Sequence, residues 1–167
     1  MRQIIEQLQK NKILFYNLLK DETEAMFLWK QKPEKWCLLE ILCHLHDEEC
    51  EDFRFRVQWV LEHPNTVPPP INPVSWVTER NYIDQNYNAM LSKFLVERAQ
   101  SIQWLLTLKD VNWKHSFEHS KLGTLTAGYF LTNWLAHDYL HFRQILKLKF
   151  DYLQHQSGVN LDYAGTW

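Results

Sequence analysis

The chain has 167 residues, 46% of them hydrophobic and 14% aromatic, and a formal net charge of −2. That length and apolar content predict one domain over residues 1–167 with a filled core, and exclude a disordered chain. The slightly acidic balance excludes the basic face that nucleic acid or an anionic membrane would require, and no apolar run approaches the ~20 residues of a membrane span. The opening Met1-Arg2-Gln3-Ile4-Ile5-Glu6 places charge and amide where a signal peptide needs its apolar stretch. Cys37, Cys43 and Cys50 are odd in number and show no Cys-x-x-Cys spacing, which points to free thiols in a reducing cytoplasm.

In chain order, four proline-free stretches carry apolar residues three and four apart, the period of amphipathic helices. The first covers about residues 2–29, through Ile4, Ile5, Leu8, Phe15 and Leu19. The second covers about 36–62, through Ile41, Leu42, Leu45, Phe53 and Val60. The third covers about 76–107, through Ile83, Tyr87, Met90, Phe94, Ile102 and Leu105. The fourth covers about 124–149, through Leu125, Phe130, Trp134, Leu140 and Ile145, with Thr124 as its N-cap. Asn-Gly and Asp-Gly do not occur, so hairpins have little support.

The connections refine this outline. Around Gln31-Lys32-Pro33-Glu34 the link is short, which predicts that the first two helices are antiparallel neighbours. His63 to Ser75 contains Pro68, Pro69 and Pro70 and predicts an extended crossover between the second and third helices. Lys109 to Gly123 is long, polar and histidine-bearing, the kind of connection that often carries function. An all-α four-helix bundle with one long crossover follows. The tail from Ser157 is not helical in pattern, and its Leu161, Tyr163 and Trp167 predict that it packs back on the bundle.

Chemistry concentrates at His137 and His141 on the fourth helix. Two imidazoles four residues apart lie on one helix face, about 5–6 Å apart at Cβ, so both can reach one metal ion. His115 and His119 repeat that spacing, so a third ligand is needed to single out a site. On the second helix His44 and His46 flank the stripe of Leu38, Ile41, Leu42 and Leu45, and periodicity does not choose between them. Glu48, one turn beyond His44, favours His44, as do Glu51 and Asp52, because acids beside an apolar stripe need a cation nearby. There is no Gly-x-Ser-x-Gly elbow or Gly-rich phosphate loop. Cys43 beside His44 is no nucleophile pair, since adjacent helical residues point about 100° apart.

Trp36 eight positions before the His44-Leu45 pair, acids following on that helix, and the late Trp-x-x-His-x-x-x-His helix together resemble the DinB/YfiT-like superfamily over nearly the whole chain. The resemblance implies an up-down-down-up bundle, frequent homodimers, and a divalent metal held by His44, His137 and His141, with Trp36 and Trp134 flanking. It also implies a metal-dependent hydrolase or an S-transferase using a low-molecular-weight thiol, with a small-molecule substrate. His119 would sit at the mouth of the site. Three neutral imidazoles leave the fourth position of a tetrahedral zinc open to water or thiolate, the catalytic pattern; nickel is the alternative metal. Glu48 is the acid/base candidate, one turn from His44 on nearly the same face. The competing class is a dimeric helical bundle that holds a metal or ligand without turnover.

Overall fold

A computed structural model describes residues 1–165. Helix α1 (Arg2–Leu19) buries Ile5, Leu8, Asn11, Phe15 and Leu19, one face at spacings of three and four. It ends ten residues before the periodicity does, because Lys20 is extended and Asp21 is left-handed at φ 60°. The apolar pattern runs on through a separate turn, α2 (Glu24–Phe27), whose Thr23 hydroxyl accepts from the Met26 N–H at 3.3 Å.

The second long helix has three parts: α3 (Leu38–Glu48), a π turn (Glu49–Phe53) and α4 (Arg54–Glu62). Glu40 fixes its start by accepting from the Cys37 N–H at 2.9 Å. The stretch expected as one third helix is broken. Helix α5 (Pro73–Glu79) starts with proline at its first turn, Asn81 turns left-handed at φ 47°, and a 3-10 turn (Tyr82–Asp84) leads to α6 (Tyr87–Thr107).

The polar connection before the last helix contains a hairpin that the sequence does not advertise. Strands β1 (Ser116–His119) and β2 (Gly123–Thr126) pair antiparallel, with Phe117 opposite Leu125 and both buried. Gly123, at φ +74°, supplies the left-handed residue that closes the turn. Thr124 therefore lies in a strand and is not the helix cap. Thr126 caps α7 (Ala127–Ser157), its hydroxyl accepting from the Tyr129 N–H at 2.9 Å. Gly158 ends α7 in the left-handed conformation at φ +65°. In the tail, Asn160 accepts from the Asp162 N–H at 2.6 Å and holds a local turn with Tyr163 fully solvent-exposed, so Tyr163 does not pack back. Leu161 is partly covered, and Trp167 lies outside the described residues.

Helix α1 lies against α6 and α7, and the α3–α4 segment lies against those same two helices. The first two long helices are thus diagonal partners rather than neighbours. The short α2 turn, which touches α3, spans the diagonal. Each long helix crosses from one apolar cluster to a second, and each contributes a buried polar residue to a shared layer at the crossing. The sequence on α1 is Leu8, Asn11, Phe15; on the second helix Leu45, Glu49, Phe53; on α6 Phe94, Arg98, Ile102; on α7 Trp134, Asp138, Phe142. These four polar side chains meet. Arg98 holds Asp138 through two bonds of 2.8 Å and pairs with Glu49 at 2.9 Å, while Asn11 donates to Asp138 at 2.9 Å. The Trp134 indole N–H donates to Glu49 at 3.0 Å. Burial holds the Glu49 carboxyl above its ordinary range, opposed by the Arg98 charge. No helix is long and apolar enough to cross a membrane among the described residues.

Candidate metal centre

His137 and His141 flank Asp138 on α7, and His44 reaches them from α3. The histidines therefore sit at the level of the buried polar layer. One ligand atom from each of the three lies within 4.8 Å of the other two. The His137 and His141 Nε2 atoms face each other at 3.0 Å. Ring centres are 5.1 Å apart for His44 and His141, and 5.4 Å for His44 and His137. Aromatic rings steady the group: Trp36 lies 4.9 Å from the His44 ring, and Phe53 lies 4.9 Å from the His137 ring.

Burial is the first cause of the electrostatics here. It lowers the imidazole pKa of His44 to about 3, of His137 to about 2 and of His141 to about 4, the charge on His141 adding to the depression of the other two. All three rings are thus neutral at physiological pH, the state a metal ligand requires. The donor set fits a divalent ion. Two ring nitrogens that face each other at 3.0 Å can share a cation between their lone pairs, and the buried His44 Nδ1 has no hydrogen-bond partner among the described residues.

Glu48 is buried with one carboxylate oxygen 4.0 Å from His44 Nδ1. Its carboxyl is held well above the usual range, first by burial and then by the neighbouring Asp52. A cavity of about 640 Å³ opens beside the histidines, with Trp36, His137, Leu140, His141 and Leu148 in its wall. Glu48 is not in that wall.

The remaining histidines are engaged elsewhere. His46 contacts Asp47 at 2.8 Å, within a cluster in which Tyr82 and Arg80 also donate to Asp47. His115 Nδ1 lies 3.1 Å from the Leu61 carbonyl. His119 is not in the wall of the cavity, and its Nδ1 accepts from the Lys121 and Leu122 N–H groups inside the hairpin turn. The Cys43 thiol, pushed up to about 12 by burial, is inert beside His44. What sequence reading misses is the layer of Asn11, Glu49, Arg98 and Asp138. A signal for it exists, since Asn11 and Arg98 fall on the apolar stripes of their helices.

The sequence matches the family model described as the DinB superfamily over residues 7–145. The chain belongs to the DinB superfamily. In three dimensions it is similar to YfiT from Bacillus subtilis, described as a probable metal-dependent hydrolase with an unusual four-helix bundle topology. The TM-score is 0.77 at 16% identity, over 95% of this chain and 88% of YfiT, a likeness of fold. No curated protein matches the sequence.

Proposed function

We propose that this protein is a divalent-metal-dependent enzyme, a hydrolase or an S-transferase for a low-molecular-weight thiol, with His44, His137 and His141 as the metal ligands. The observation that carries this reading is three neutral imidazoles, those of His44 and His141 buried and that of His137 half-buried, within 4.8 Å of one another, two of them in the wall of a cavity that can admit a small molecule. Zinc is the first choice and nickel the second. Bound there, the ion supplies Lewis acidity to a water or thiol nucleophile. The chain's own residues do the rest. Trp36 and Phe53 hold the His44 and His137 rings, and Trp36, Leu140 and Leu148 offer an apolar wall that excludes water from the substrate's non-reacting part. Glu48 carries a proton beside His44 as the acid/base.

An up-down-down-up order with residues 63–75 as the crossover belongs to the same reading. It is supported by the sense in which each helix runs between the two apolar clusters: α1 and α7 one way, the second helix and α6 the other. A cytoplasmic location, supported by three free cysteines, is also part of it, as is a homodimer, which light scattering checks.

Elemental analysis of untagged protein tests the site. About one divalent ion per chain is expected, lost in His44→Ala, His137→Ala and His141→Ala and retained in His46→Ala. Retention in all three ligand variants overturns the assignment. A screen of ester, amide and alkylating electrophiles with and without a low-molecular-weight thiol then separates hydrolysis from thiol transfer.

A further inference from the structure

The cavity beside the histidines has charged side chains on its rim that the ligand set does not use. Lys35, Arg143, Lys147 and Asp151 all line it. Lys147 is paired with Asp151. Neither Lys35 nor Arg143 has an acidic partner among the described residues. Two uncompensated cations therefore face a cavity whose inner wall is apolar or neutral, in a chain whose overall charge is −2. Both are exposed, so the surrounding fold does not need them where they are. A guanidinium with all its donors available is the group best shaped to grip a planar acid by two parallel bonds, and a lysine adds a mobile second charge.

We propose that the cavity takes a small carboxylate-bearing substrate, with Arg143 and Lys35 binding the acid and Trp36, Leu140 and Leu148 covering its apolar part. This rests on the metal-site reading only for where the reaction occurs; the acid-binding rim is independent of the ion. The carboxylate acts as a handle, held away from the histidines, so that the reacting group at the other end is brought toward them.

The test uses 4-phenylbutyrate and its neutral amide as matched probes, titrated calorimetrically into metal-loaded and chelator-treated protein, with metal content measured throughout. The carboxylate should bind roughly three- to tenfold more tightly than the amide in both forms, and the preference should shrink as salt is raised. In the Lys35→Gln/Arg143→Gln double variant the preference should vanish while metal content stays at the wild-type value. Equal binding of acid and amide overturns the proposal. So does a preference that survives the double variant but disappears with chelator, because the ion itself is then the anion's partner. A protein that binds no metal yet keeps the Lys35- and Arg143-dependent preference refutes the metal site and supports the acid-binding rim.

Discussion

At the scale of single residues, Glu48 and the histidines titrate in opposite senses. A carboxyl raised by burial is a proton donor near neutral pH, and general acid or base help is typically worth ~10²–10⁴-fold in rate. Glu48→Gln should cut turnover per bound metal by about that much while metal content is retained. If Glu48 only steadies His44 by accepting from its ring N–H, the variant loses metal affinity and keeps turnover per metal. The three imidazoles have folded pKa values of about 3, 2 and 4, below the ~6.5 of an unfolded histidine. The unfolded chain therefore binds more protons between those limits. The histidines' contribution is full above ~6.5 and falls as pH drops toward the folded values. Glu48, raised on folding, contributes most below the normal carboxylate range and loses that contribution as pH rises through its elevated pKa. For metal-free protein the melting temperature should fall as pH is lowered from 6.5 to about 4, and His137→Phe should flatten the decline. Thermal melts across that range check it; an unchanged slope in the variant would remove His137 as a source. The His137 and His141 pair on α7 was legible because i, i+4 spacing needs only a helix. The choice of His44 over His46 needed an acid neighbour and a family resemblance. Periodicity puts both on the flanks of one stripe.

At the scale of elements, the four long helices could be read from their stripes, but their ends could not. Periodicity continues wherever the next turn still packs on the core, so the break at Asp21 leaves Met26 and Phe27 in phase with α1's pattern. The break at Asn81 likewise leaves Tyr82 buried. The hairpin was hidden for another reason: four-residue strands are too short to show alternation, and its turn lacks Asn-Gly or Asp-Gly. Two threonines two residues apart thereby exchange roles. Thr126→Ala should cost about 1 kcal/mol and lower the melting temperature by roughly 2–4 °C, with metal content intact. Thr124, whose hydroxyl donates to the Glu118 side chain at 2.6 Å on an exposed strand, should tolerate alanine with little change. Calorimetry on the two variants distinguishes them; the reverse ranking would place the cap at Thr124. The π turn matters here as well. It begins at Glu49, which pairs with Arg98, and its one extra residue resets the phase of α4 relative to α3, which carries His44.

At the scale of the whole molecule, stability and site share one layer. Arg98 is 1% exposed and Asp138 0%; the place of Arg98 on an apolar stripe is a sequence signal for the layer, but a charge there is as easily read as a break in the stripe. Removing the cation leaves two buried carboxyl groups without their partner. Arg98→Met should therefore destabilise by about 3–5 kcal/mol, far more than its loss of volume would suggest. Urea unfolding measures this; a change below about 1 kcal/mol would mean that water enters and solvates the layer.

That same layer draws one residue from each of four helices, and this makes it a check on alignment. A helix displaced along its axis by one turn, about 5.4 Å, would bring Phe15 or Leu8 to Asp138 in place of Asn11, or Phe94 or Ile102 to Glu49 in place of Arg98. Greasy contacts tolerate such sliding, because one leucine serves nearly as well as another; a buried ion pair does not. The docking of any one helix is then conditional on the other three already being in step, and the histidines on either side of Asp138 inherit that alignment.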